Sequence, residues 1–165
     1  MQKLASIGWR EWIHLPDLGG AVVKAKIDTG ARTSAIHAFE VVEIERFGAP
    51  WAEFTIHPEQ RSSRYSVRVF APMVEQREIR SSNGSTELRP VVRTTLELGG
   101  ERFEIELALA QRDQMGFRLL IGRNAIRQRF LIDPSRSYRG AESREIRRAL
   151  KARSARRPVA AGGMS

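Results

Sequence analysis

Val22-Val23-Lys24-Ala25-Lys26-Ile27-Asp28-Thr29-Gly30-Ala31 is the stretch that organises this chain. Apolar and polar residues alternate up to Ile27, the period of a half-buried strand, and the strand runs into a tight turn. Asp28 stands at the strand's end, Thr29 can bond locally, and Gly30 gives the backbone room to turn. Two readings follow from these residues. Asp28 is either a carboxylate presented to a cleft by a short, stiff loop, or an ordinary turn aspartate. A tripeptide this short does not choose between them; residues about ninety positions downstream bear on the choice.

Working outward, Ile7 to Leu15 mixes aromatic and β-branched residues and meets Pro16-Asp17-Leu18-Gly19-Gly20, a strand and hairpin turn leading into the Val22–Ile27 strand. Further strands are expected from Ser34 to Ile44, Trp51 to Ile56 and Tyr65 to Phe70. Asn83-Gly84 is the strongest short hairpin signal, because both residues tolerate positive φ. Its arms are polar, so the hairpin should project from the body, and Pro90 suits an arm or edge. A second hairpin turns at Gly99-Gly100. Leu119-Leu120-Ile121 is a short apolar run suited to a buried strand, Gly122 ends it, Asn124 to Arg129 can form a short helix, and Phe130 to Asp133 returns as a strand. Closely spaced strands with almost no helical period before Arg123 point to an all-β barrel or sandwich.

The 165 residues fit one domain, placed at 1–134, followed by a basic extension at 135–165. That extension carries nine basic residues (Arg136, Arg139, Arg144, Arg147, Arg148, Lys151, Arg153, Arg156, Arg157) against two acids, Glu142 and Glu145. It therefore holds most of the net charge of +9, with a basic helix expected over Glu142 to Arg153. Such a tail suits RNA, a ribosome surface or a polyacidic peptide; it is equally read as a solvated extension. Without cysteine there is neither a disulfide framework nor a thiolate zinc site. No apolar run approaches membrane-spanning length, so a cytoplasmic protein without membrane contact is expected. His14, His37 and His57 lack the i, i+4 spacing of a helical zinc pair, and no phosphate-binding loop is present, so neither metal nor cofactor is expected.

Asp28-Thr29-Gly30-Ala31 after an apolar strand, a projecting hairpin, and Leu119-Leu-Ile-Gly-Arg-Asn124, in that order, resemble the retropepsin-like aspartic peptidases. The likeness spans about Gly8 to Asp133. Ile7-Gly-Trp-Arg-Glu11, Lys26-Ile-Asp-Thr-Gly-Ala-Arg-Thr-Ser-Ala-Ile-His-Ala38, Arg89-Pro-Val-Val92 and Phe130-Leu-Ile-Asp-Pro134 look like a bacterial branch labelled ATP-dependent zinc protease, whose RimB subset is associated with RimK-type glutamate ligases. The zinc and ATP in that label find no support in the residues described above.

The resemblance implies a closed acid-protease barrel with one short helix, and an aspartic endopeptidase. Such enzymes need two carboxylates sharing one proton around a water, one acting as base and the other polarising the scissile carbonyl. The chain has one Asp-Thr-Gly, and Asp133-Pro134 lacks the Thr-Gly context, so the dyad would join Asp28 to its symmetry mate in a homodimer. The resemblance also implies that Thr29 links the two loops. Ser81, Ser82, Asn83, Gly84 and Ser85 would form the flap, and Ile121, Gly122, Arg123 and Asn124 would brace the Asp28 loop. Arg32 stands where an acid is usual, so the expected partner of Arg123 is replaced, and the flap tip is not glycine-rich. Arg32, Arg80 and Arg89 suggest a peptide substrate rich in glutamate, since guanidinium forks match carboxylates; they are equally read as surface residues paired with acids such as Glu87. The competing function is a non-catalytic binding module of the same fold, docking on RNA or the ribosome through its basic tail.

Overall fold

The structure is a computed structural model that describes residues 3–59, 65–80, 83–111 and 116–156. Strand β1 (Ala5–Gly8) is separated from β2 (Arg10–Leu15) at Trp9, and a tight turn connects β2 to β3 (Ala21–Asp28). Gly19 and Gly20 make that turn with φ of 66° and 65°, which a side chain would resist. Along β3, Ala21, Val23, Ala25 and Ile27 are buried while Val22, Lys24 and Lys26 are not, so the alternation read in the sequence is the inside–outside alternation of the barrel wall. Beyond the Asp28 turn follow β4 (Ser34–Arg46), β5 (Ala49–Ile56), β6 (Val67–Arg80), β7 (Thr86–Leu98) and β8 (Glu101–Ala110). The chain continues through β9 (Leu119–Gly122), the four-residue α1 (Arg123–Ile126), β10 (Phe130–Asp133) and α2 (Ala141–Arg156).

Eight strands form one sheet in the order β2-β3-β9-β4-β5-β6-β7-β8, and pairings of β2 with β7 and β4 with β8 close it on itself. The fold is an all-β barrel of the retropepsin-like type. A small parallel pair, β1 with β10, lies beside it. The interior is filled by Ile13, Leu15, Val23, Ile36, Phe54, Leu96, Leu107 and Ile121, all within 1 % of full burial, and each large side chain removed from water contributes roughly 1.5–3 kcal/mol. Trp12 and Trp51 lie in strands and Trp9 between two; none belongs to the core.

Two features matter for function. Among the described residues, the outer parts of β6 and β7 pair only with each other, from Gln76↔Pro90 to Arg80↔Thr86, so this hairpin projects beyond the wall with mostly exposed side chains. The second feature is Glu11, fully buried in β2 at a position where alternation calls for an apolar residue. Its Oε2 accepts hydrogen bonds from the N–H groups of Gly8 and Arg139, both 2.7 Å. Its Oε1 accepts from Gly140 N–H at 2.8 Å and the Ser143 hydroxyl at 2.7 Å. Ser143 in turn accepts from Trp12 N–H at 2.8 Å, and both carboxylate oxygens of Glu142 accept from Gly100 N–H at 2.9 Å. The start of α2 is thereby clamped to the barrel.

Candidate functional site

The site is built where β3 ends. β3 and β9 run parallel with Ile27 opposite Ile121 and Asp28 opposite Gly122, so the Asp28 turn and the entry to α1 leave the sheet side by side. Asp28 Oδ1 accepts from Gly30 N–H at 3.1 Å, and the Asp28 carbonyl accepts from Ala31 N–H at 3.2 Å. The carboxylate thus shapes its own turn, as aspartates do, while remaining only half-buried. Thr29 and Gly30 are exposed.

Four bonds hold this loop from the β9–α1 side. Arg123 N–H donates to Ala31 O at 2.7 Å and Asn124 N–H to Arg32 O at 3.1 Å. Gly122 N–H donates to the buried Ser34 hydroxyl at 3.0 Å. The Arg123 guanidinium donates through Nη1 to the Thr29 carbonyl at 2.8 Å. In place of a carboxylate at position 32, the guanidinium takes a backbone carbonyl of the loop itself. Gly122 is required here by space: a Cβ would lie 2.6 Å from the Thr33 carbonyl carbon and 2.9 Å from Ser34 N.

The projecting hairpin holds the other expected residues. Arg80 pairs in register with Thr86, and Arg89 lies opposite Arg77. Arg89 forms an ion pair with Glu87, the local acid recognised as its alternative partner. Among the described residues, no hydrogen bond or ion pair joins Arg32, Arg80 or Arg89 to an Asp28 oxygen. At the tip, Asn83 Oδ1 accepts from Ser85 N–H at 3.1 Å and from its hydroxyl at 2.8 Å, and Gly84 has φ of 86°. Ser81 and Ser82 lie outside the described residues. The structure therefore brings Asp28, Thr29, Ala31, Arg32, Gly122, Arg123 and Asn124 into one bonded cluster and leaves Arg80 and Arg89 on the hairpin arms.

One clasp at the hairpin's base was not foreseen. Arg77 donates to Glu75 at 2.6 Å and to Glu106 of β8 at 2.7 Å, and these two carboxylates raise its pKa. A run such as Glu75-Gln-Arg-Glu78 carries no trace of which acid will be reached across the sheet. For Glu11 a signal existed: Glu11, Ile13 and Leu15 share one phase of the alternation, so the charge sits on the inward face.

Asp133, the other aspartate weighed as a partner, ends β10 in the two-stranded sheet beside the barrel. Its Oδ1 accepts from the Ser135 hydroxyl at 2.5 Å and from Ser135 N–H at 3.0 Å, which lowers its pKa. His14 contacts Glu97 at 3.1 Å, His57 contacts the Tyr65 carbonyl at 3.1 Å, and His37 is buried in ring contact with Phe39. Among the described residues, no three His, Cys, Asp or Glu side chains gather into a metal-binding group.

The family described as retropepsin-like aspartic endopeptidase RimB matches residues 6–143. A Shewanella pealeana protein named "Probable alpha-L-glutamate ligase" is 45% identical over 132 residues, 80% of this chain and 29% of that protein. One of the same name from Parasynechococcus marenigrum is 42% identical over 145 residues, 88% of this chain and 31% of that protein. The chain thus spans about three-tenths of the length of the curated relatives it matches. A crystal structure of a Legionella pneumophila protein of unknown function superposes with a TM-score of 0.69 at 28% identity, covering 83% of this chain and 98% of that one.

Proposed function

The chain belongs to the RimB-like family of retropepsin-like aspartic endopeptidases, and from that premise we propose that it is an aspartic peptidase, active as a homodimer, that cleaves glutamate-rich protein segments. The observation that carries the reading is the Asp28-Thr29-Gly30 loop, held to the β9–α1 junction by Arg123 and Asn124. A catalytic carboxylate has to be exposed yet fixed, and this loop gives Asp28 both properties. One chain supplies one such carboxylate; two chains facing each other across a two-fold axis supply the pair. The shared proton lets one Asp28 take a proton from the attacking water while the other hydrogen-bonds the scissile carbonyl. The projecting β6–β7 hairpin is the flap of this reading, closing over bound peptide, with Arg80 on its arm and Arg32 beside the loop as carboxylate contacts, and with Arg89 joining them where substrate displaces Glu87.

The relatives' names support the choice of substrate. A module that occupies three-tenths of proteins named for glutamate ligation is suited to act on glutamyl chains. Absence of cysteine supports a cytoplasmic setting, and among the described residues no helix is long and apolar enough to cross a membrane. The catalytic unit is residues 1–134, and the extension that follows is held to it by Glu11 at Arg139, Gly140 and Ser143.

The test is cleavage of a Glu-tailed peptide and a neutral control by wild type and Asp28→Asn, with and without chelator. Chelator-insensitive cleavage abolished by the substitution supports the reading; cleavage that survives Asp28→Asn, or a protein that stays monomeric at high concentration with substrate, sinks it.

A second reading, a non-catalytic module docking on RNA, is favoured by α2, where Arg144, Arg147, Arg148 and Lys151 are all exposed at helical spacing. It predicts RNA affinity that falls steeply with salt and disappears when residues 135–165 are removed.

A further inference from the structure

β6 serves two pairings. Its first half, Val67–Pro72, pairs with β5, and from Met73 onward it pairs with β7. Over Arg93–Leu96, β7 pairs with β8 alone. Among the described residues, the facing edges of Val67–Pro72 and Arg93–Leu96 therefore have no strand partner, and the two strands diverge from the Met73↔Val92 pair as a fork. A cavity of about 470 Å³ occupies the fork, and the β2–β3 turn contributes Asp17 and Gly19 to its lining.

Three arginines line this cavity: Arg46, Arg68 and Arg93. The Arg46 guanidinium lies 4.6 Å from the Phe70 ring centroid and 4.9 Å from that of Trp51. Rings against its face hold the group in place and leave its edge N–H donors for a carboxylate. Arg68 is occupied by Glu53 at 3.1 Å, but among the described residues neither Arg46 nor Arg93 has an acidic partner. Thr94, only 4% exposed, also lines the cavity wall, and among the described residues its hydroxyl has no hydrogen-bond partner.

We propose that the β6–β7 fork is a second peptide subsite, separate from the Asp28 loop, that takes an extended segment bearing carboxylates. Unpaired strand edges accept an extended backbone, and Arg46 and Arg93 take its carboxylates. Asp17 and Glu104 share the lining, which suits discrete carboxylates placed between them better than the unbroken charge of a phosphate backbone. The choice of occupant rests on the glutamate-rich peptidase reading: the fork would hold one part of an acidic substrate while another part reaches Asp28.

The experiment uses the full chain as Asp28→Asn and a labelled Glu-rich peptide, with binding followed by fluorescence anisotropy. Adding Arg93→Gln or Arg46→Gln should weaken binding about tenfold without lowering the thermal midpoint. In active protein, Arg93→Gln should raise KM for a long acidic peptide and leave kcat/KM unchanged for one too short to reach the fork. Unchanged affinity in both variants overturns the proposal, as does an oligonucleotide that displaces the peptide and loses affinity in the same variants. If wild type cleaves no peptide while Arg93→Gln still weakens binding, the peptidase reading falls and the subsite stands. If cleavage proceeds and neither variant alters binding or KM, the subsite falls and the peptidase reading stands.

Discussion

The guanidinium of Arg123 donates to the carbonyl oxygen of Thr29 at 2.8 Å, across ninety-four positions of sequence. Helix α1 is too short to be stable by itself, so its first residue serves the loop more than the helix. The bond restrains the residue directly after Asp28, and a shift of that residue moves the carboxylate.

Arg123→Ala should therefore act on catalysis more than on stability. A single hydrogen bond contributes about 0.5–1.5 kcal/mol to folding, whereas a misplaced reacting group can cost on the order of a hundredfold in rate. We expect kcat to fall by ten- to a hundredfold with KM little changed, measured on a Glu-tailed peptide.

Gly122→Ala tests the same junction through packing. The new Cβ would meet backbone at 2.6–2.9 Å, at Thr33 and Ser34, where no side-chain rotation can relieve it. Destabilisation of about 1–3 kcal/mol is expected from overpacking, read from denaturant unfolding, with loss of cleavage alongside.

Arg32→Glu tests charge selection. If Arg32 contacts substrate carboxylates, kcat/KM should fall further for a Glu-rich peptide than for a neutral one. Equal losses on both peptides would reduce Arg32 to a loop residue.

Glu11→Gln tests the clamp on α2. The amide presents N–H groups to a pocket that already supplies four donors, two to each oxygen. A stranded buried donor costs about 1–3 kcal/mol. The thermal midpoint should drop, and limited proteolysis should release the segment after residue 135 before the barrel is cut.

Asp133 makes an acid-dependent contribution. Hydrogen bonds from Ser135 lower its pKa below the ordinary value of 3.8, so the folded state binds its proton less tightly than the unfolded chain. The stabilisation is complete above that value and is lost as pH falls through the lowered one. Ser135→Ala should reduce the drop in thermal midpoint between pH ~6 and pH ~3; an unchanged pH dependence would remove Asp133 from the acid response.

Some residues announce their places and others do not. Ala21 to Ile27 declare their faces because a strand's side chains alternate at every step. Gly84 declares its turn because positive φ is open to glycine itself, and its φ is 86°. Arg89 was legible only as one of two possibilities, a substrate contact or a partner for Glu87, and the ion pair shows the second contact made. The grouping of Arg46, Trp51 and Phe70 was not legible at all: the three come from separate strands, and only the β4–β5–β6 register sets them on one face.

The sequence by itself determined an all-β fold, the Asp-Thr-Gly loop at the end of a strand, the projecting hairpin and the short apolar strand at Leu119–Ile121. Each depends on local alternation and turn chemistry, which a chain carries with it before folding. Tertiary structure alone decided that Arg123 ties Thr29, that Glu11 clamps α2, that Arg77 joins β6 to β8, and that β6 parts from β7 to open a basic cleft. Those relationships join residues far apart in sequence. They exist only once the closure of the sheet and the register of its strands bring particular donors within reach of particular acceptors.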